Sequence, residues 1–162
     1  MRITLDTGIL VRMNVRASGP ARRLLQVILE GPHEMVLSDF LLDETACVLR
    51  YPRLQKLFNL SEDDIGEHIN LLRARADLVF PVIQQPVVLS DPNDDPVVFT
   101  AVDGQADVLC AMDRDFYTDN VITFCRLRGI EILNDVQLLQ RLSEVDPIGW
   151  TKKQVSLDGG AV

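Results

Sequence analysis

The chain has 162 residues, 47% hydrophobic and 25% charged, which suits one globular domain able to bury a core without disulfides. A formal net charge of −8 argues against a protein that coats nucleic acid, and no apolar run approaches the roughly 18 residues of a membrane span. Asp6 and Arg12 interrupt any secretory apolar region at the start, so a cytoplasmic location is expected.

In chain order, Ile3 to Leu5 reads as a short buried strand, followed by a helix with Ile9, Leu10 and Met13 on one face. Gly19-Pro20 breaks that pattern. Ala21 to Glu30 is a helix carrying Leu24, Leu25, Ile28 and Leu29 at helical spacing, stopped by Gly31-Pro32. Met35-Val36-Leu37 is a second strand, and Ser38 caps a helix running to about Arg50. Pro52 begins a short helical piece. Ser61-Glu62-Asp63-Asp64 has the form of a capping box and opens a long helix to about Ala76. Leu78 to Ile83 is read as a strand with Pro81 at its edge or end. A turn over Pro92 to Pro96 leads into a helix from Val97 to Gln105. Asp107 to Ala111 and Gly129 to Leu133 are strands, and the last helix runs from Asn134 to about Glu144. Beyond Pro147 apolar periodicity ends, giving a domain over 1–145 and a loose tail over 146–162. Strands separated by helices predict a three-layer α/β/α domain around a central parallel sheet of four to five strands.

Cys47, Cys110 and Cys125 form neither a disulfide framework nor a zinc pair, and each is expected to pack as a small hydrophobe. His33 and His68 have no second imidazole or thiol at ligand spacing. Residues 1–29 hold Arg2, Arg12, Arg16, Arg22 and Arg23 against Asp6 alone, whereas residues 91–115 hold seven aspartates against Arg114 alone. A basic flank beside an acidic pocket suits an enzyme that grips phosphates on one side and metal on the other. The same arginines equally suit a solvated helix face.

Four acids stand at the edges of apolar segments: Asp6 after Ile3-Thr4-Leu5, Glu44 in the helix after Ser38, Asp95 at the end of Asp91-Pro92-Asn93-Asp94-Asp95, and Asp113 after Val108-Leu109-Cys110-Ala111-Met112. Carboxylates at the carboxyl ends of strands reach the crevice where open α/β sheets bind ligands. Four of them together form a hard oxygen site suited to Mg²⁺ or Mn²⁺. Glu44 shares its helix face with Phe40, Leu41, Cys47 and Val48, where a carboxylate needs a partner or a metal. Asp39 and Asp43 fit the helix dipole, Asp91 fits an Asp-Pro turn, and Asp103 and Asp107 read as surface residues. Asp94 or Asp95 could cap the following helix, and Asp95 is favoured as the site acid because it immediately precedes that helix. Asp115, two residues beyond Asp113, could reach the same metal.

These segments, with Val48-Leu49-Arg50-Tyr51-Pro52-Arg53-Leu54 and the late strand at Gly129-Ile130, resemble the PIN-domain family, in particular its branch of bacterial toxin–antitoxin toxins. The resemblance spans roughly residues 1–142 and implies a 5′-nuclease-like fold and a Mg²⁺- or Mn²⁺-dependent endoribonuclease. It also implies that Asp6, Glu44, Asp95 and Asp113 are the catalytic, metal-holding acids, with Asp115 auxiliary. The implied partners are an RNA substrate, a small antitoxin that inserts a side chain into the acidic pocket, and a second copy in a homodimer. The chain departs from the family pattern at Gly8 (usually asparagine), at Pro96 (commonly lysine) and at Ala111-Met112 (often threonine). Those departures motivate the alternative, a catalytically weakened PIN-like module that binds RNA or protein. Leu5-Asp6-Thr7-Gly8-Ile9 also matches the aspartic-protease signature, but such enzymes need a second Asp-Thr-Gly, which the chain does not contain. A phosphate-accepting receiver domain would require a paired acid at the first strand and a late lysine, and neither is present.

Overall fold

The computed structural model describes residues 1–145; the expected loose tail lies outside the described residues. Five parallel strands, β1 (Arg2–Leu5), β2 (Glu34–Leu37), β3 (Ala76–Leu78), β4 (Val108–Cys110) and β5 (Glu131–Leu133), form one sheet in the order β3-β2-β1-β4-β5. Register is set by Ile3 opposite both Met35 and Val108, Leu37 opposite Leu78, and Cys110 opposite Leu133. Ile3, Thr4 and Leu5 are fully buried, as expected of a central parallel strand covered on both faces.

Among the described residues, seven α-helices connect the strands, α1 (Thr7–Arg12), α2 (Pro20–Glu30), α3 (Asp39–Leu49), α4 (Pro52–Phe58), α5 (Glu62–Arg75), α6 (Asp95–Asp103) and α7 (Asp119–Arg126), and α8 (Asp135–Val145) follows β5. Helices α1, α2, α3, α5 and α8 pack among themselves in one layer. Right-handed crossovers place α6 and α7 on the other face, where Phe99 and Phe124 meet edge to face at 5.7 Å. The expected three-layer α/β/α architecture is the one observed, with five strands.

The local signals act as predicted at most boundaries. Ser61 and Asp64 exchange side-chain-to-backbone bonds at the start of α5, completing the capping box. The expected strand over Leu78 to Ile83 is corrected: β3 occupies Ala76–Leu78 and follows α5 without a linker. Pro81 has no N–H to offer, and the Val82 N–H donates to Asp103 instead of to a strand, so Phe80, Val82 and Ile83 lie exposed. Cys47 is also corrected. Helix α3 buries Leu41, Leu42, Thr45 and Leu49, which leaves Cys47 on the exposed side, while Cys110 and Cys125 are buried as expected.

The basic flank is consumed by structure. Arg2 pairs with Glu34 and Asp77 at 2.5 and 2.6 Å, Arg12 with the buried Asp135 at 3.2 Å, and Arg16 with Asp64 at 3.4 Å, while Arg22 donates to the Met13 carbonyl. Arg2 stands at the amino end of β1, at the opposite end of that strand from Asp6. Among the described residues, no helix is long and apolar enough to cross a membrane.

Gly104 marks the tightest approach of helix to sheet, because a Cβ there would lie 2.1 Å from the Val36 Cγ1 and 3.0 Å from the Thr100 carbonyl oxygen. Gly104→Ala is expected to destabilise the fold by about 1–3 kcal/mol through overpacking, read as a lower urea midpoint at unchanged slope.

Candidate metal centre at the carboxyl end of the sheet

The strand order reverses between β1 and β4, so the loops leaving these two neighbours diverge and open a crevice at their carboxyl ends. Asp6 is the first residue past β1. Its own N–H donates to the Cys110 carbonyl at 2.9 Å, tying it to the end of β4. Its Oδ1 accepts from the Ile9 N–H at 2.8 Å and so caps α1, while its Oδ2 accepts from the Met112 N–H at 3.3 Å. One carboxylate thereby spans both sides of the reversal.

A cleft of about 350 Å³ opens there, lined by Asp6, Thr7, Gly8, Glu44, Asp94, Val97, Met112, Asp113 and Phe116. Four carboxylates and no cation line it. Glu44 arrives from the middle of α3, half-buried, with one oxygen accepting from the Thr7 hydroxyl. Asp113 arrives from beyond β4, where its carboxylate also accepts from the Asp115 N–H at 3.0 Å. Of the residues expected from sequence, Asp6, Glu44 and Asp113 are therefore brought to one cleft.

Asp95 is placed differently. Its Oδ1 accepts from the Val87 and Val88 N–H groups at 3.0 and 2.8 Å, its side chain is buried, and it does not line the cleft. Asp94 stands there in its place. The reason is local. Asp91 accepts from the Asn93 N–H and starts a 3-10 turn over Pro92–Asp94, and α6 begins at Asp95 itself. A helix that starts two residues earlier than expected rotates Asp95 toward the preceding loop and leaves Asp94 at the opening. The turn signature Asp91-Pro92-Asn93 was the available clue. Asp115 approaches from the side: one oxygen each of Asp91, Asp94 and Asp115 lie within 4.8 Å of one another. Asp94 thus belongs both to the cleft and to this trio. Thr7 is the polar cleft residue that sequence reasoning did not single out, because a threonine inside a helix start carries no signal of what its hydroxyl will meet.

The electrostatics follow from the crowding. Burial pushes the Asp6 carboxyl up from 3.8 to about 6, against the two N–H donors and Arg12, which hold it down, with Asp113 adding to the rise. That displacement corresponds to roughly 3 kcal/mol against the ionised form. Asp94 is pushed up to about 7 by burial first and then by Asp91, Asp113, Glu44 and Asp6. Burial also raises the Tyr117 phenol to about 12; its hydroxyl donates to the Ala111 carbonyl at 2.7 Å. A cluster of hard oxygen donors, with Asp94 held short of full ionisation near neutrality and none facing a lysine or arginine in the cleft lining, has the donor chemistry of a Mg²⁺ or Mn²⁺ site.

The sequence matches the family model described as PIN domain over residues 2–115. No curated protein matches the chain. Among solved structures it is similar to VapBC2 from Rickettsia felis bound to a DNA fragment from their promoter, at 12% identity and a TM-score of 0.55, covering 83% of this chain and 98% of that one. It is also similar to FitAcB from Neisseria gonorrhoeae at 12% identity and a TM-score of 0.47, covering 82% of this chain and 97% of that one. At such identity the VapBC2 likeness speaks to fold alone.

Both raised carboxyls bind protons in the folded state that they have lost in the unfolded chain between about pH 4 and pH 7. Unfolding free energy must therefore fall as pH rises through that window. The metal-free protein is expected to lose Tm from pH 5 to pH 7.5, and Asp94→Asn to flatten the decline and to raise Tm at pH 7.5. A parent Tm that climbs across the same range contradicts this electrostatic picture.

Proposed function

The chain belongs to the PIN-domain family, and on that premise we propose that it is a divalent-metal-dependent endoribonuclease. The observation that carries the proposal is the convergence of Asp6, Glu44, Asp94 and Asp113 on one cleft at the sheet reversal. In this reading these four carboxylates hold Mg²⁺ or Mn²⁺, with Asp115 and Asp91 supporting Asp94 from the side. Asp95 keeps the cleft in shape by anchoring the loop at Val87 and Val88. A bound divalent cation supplies Lewis-acid stabilisation of the phosphodiester and acidifies water for attack.

The chain's own residues do the positioning. The two backbone donors fix the Asp6 carboxylate before any ligand arrives, and the Thr7 hydroxyl holds one oxygen of Glu44. Asp94, with its carboxyl at about 7, exchanges a proton for a cation near neutral pH, so metal affinity should increase from pH 5.5 to pH 7.5 with proton release. Val97, Met112 and Phe116 form the apolar part of the lining and lower the local dielectric around the acids. The partner expected in a toxin setting, a small antitoxin that places a side chain among these acids, fits a cleft that carries only negative charge. RNA as substrate, a homodimer and the toxin role itself belong to the same proposal.

Purified protein incubated with single-stranded RNA and Mn²⁺ or Mg²⁺ is expected to cleave it, with EDTA abolishing the activity. Asp6→Asn, Asp94→Asn and Asp113→Asn should each lower the rate by at least about 100-fold. Equal background in the parent, the variants and the EDTA control would sink the enzyme reading and favour a binding module. Asp95→Ala leaves two buried N–H groups unsatisfied and is expected to destabilise the fold by about 3 kcal/mol while retaining Mn²⁺ binding at low temperature.

A further inference from the structure

Among the described residues, α4 is the one α-helix that buries no residue. It is held by half-buried Leu54 and Phe58, which join a small cluster with Val11, Leu49, Leu60 and Ile65. What it presents outward is cationic and aromatic: Arg53, Lys56 and Leu57 are exposed, and Tyr51, which starts the helix, is 56% exposed. Arg53 and Lys56 are three residues apart and share one face. Among the described residues neither makes an ion pair, whereas Arg2, Arg12 and Arg16 are all engaged by carboxylates. Residues 50–58 contain three cations and no acid in a chain of net charge −8. The nearest acids in sequence, Glu62 and Asp63, lie in the first turn of α5, where the helix dipole accommodates them, and Glu62 is paired with Arg50 at 3.0 Å.

The position of α4 gives this patch its meaning. Helix α5 passes directly into the amino end of β3, so its own amino end lies toward the carboxyl side of the sheet. Its 14 residues span about 21 Å, whereas the three-residue strand β3 spans only about 10 Å. The amino end of α5 and the preceding α4 therefore extend past the sheet on the side where the acidic cleft opens. Helix α3 leads from Glu44 in the cleft to α4 in a further turn and a half.

We propose that α4 with Tyr51 is a docking surface for single-stranded RNA, the cations meeting backbone phosphates and the tyrosine ring stacking on a base. This deepens the ribonuclease reading above and rests on it. A strand held by α4 is carried toward the cleft, whose own negative charge repels phosphates until a cation is bound. Phosphate neutralisation by unpaired cations and stacking on an exposed aromatic ring are the two contacts that sequence-tolerant single-strand binding uses. The apolar exposure of α4, confined to Leu57 and Tyr51, is small for a protein partner.

The test is fluorescence anisotropy of a labelled, mixed-sequence single-stranded RNA with the full chain in EDTA, which prevents cleavage, alongside cleavage kinetics in Mn²⁺. Arg53→Gln with Lys56→Gln should weaken binding about tenfold and reduce the slope of log affinity against log salt by about 1.4, the value for two lost phosphate contacts on a single strand. Tyr51→Ala should weaken binding about tenfold at an unchanged salt slope. In cleavage, both variants should raise KM and leave kcat unaltered. Because α4 buries nothing at these positions, Tm should stay at the parent value. RNA affinity unchanged in both variants overturns the proposal and leaves α4 to a protein partner. Cleavage by the parent with KM unchanged in the variants also overturns it, while the ribonuclease reading stands. Weakened binding in the variants of a protein that cleaves nothing supports the docking surface and removes the ribonuclease reading.

Discussion

Asp6 joins the two halves of the molecule. Its main chain continues the pairing of β1 with β4, and its carboxylate accepts from the first turn of α1 and from the loop beyond β4. Helix α1, the loop to Asp113 and, through Thr7, the α3 residue Glu44 are all positioned relative to that one side chain. Its geometry exists only because β1 is central and the chain, after building β2 and β3 on one side, returns to place β4 on the other.

The assembled acids work against folding. Burial and mutual repulsion raise the Asp6 and Asp94 carboxyls above the usual carboxylate range, so the metal-free cleft is an unfavourable arrangement that the surrounding core must offset. That core is large relative to the strain. Leu5, Ile9, Leu10, Val98, Phe99 and Phe116 belong to one buried core, and Asp95 adds two hydrogen bonds that pin the loop on which Asp94 depends. A rigid frame of this kind keeps four oxygen donors near one another without a ligand, which is the condition for binding a small hard cation with little reorganisation.

Much of this was legible in the sequence because strong local signals coincided with the tertiary solution. The Ser61 capping box, the Ser38 cap, the Gly31-Pro32 stop and the apolar runs around Ile3, Val36 and Leu109 each specify an element on their own. The acids Asp6, Glu44 and Asp113 were found by their positions at element edges, and they converge. What escaped was set by a single turn of backbone or by distant partners. Choosing between Asp94 and Asp95 needs the phase of α6, which depends on where the 3-10 turn ends. The stop of β3 at Leu78 depends on Asp103 capturing the Val82 N–H. On sequence alone the arginines of the first thirty residues suit a phosphate grip or a solvated helix face, yet most are held by carboxylates brought in from Glu34, Asp64, Asp77 and Asp135, pairings of long sequence separation that no local pattern encodes.

The central claim is that the cation sits among Asp6, Glu44, Asp94 and Asp113 at the reversal between β1 and β4. Anomalous diffraction from crystals soaked in Mn²⁺ tests it most directly. The account predicts a peak in the cleft bounded by those four carboxylates, lost in Asp94→Asn and kept in Asp95→Asn. A peak coordinated by Asp95, or a cleft empty at saturating Mn²⁺, would contradict it.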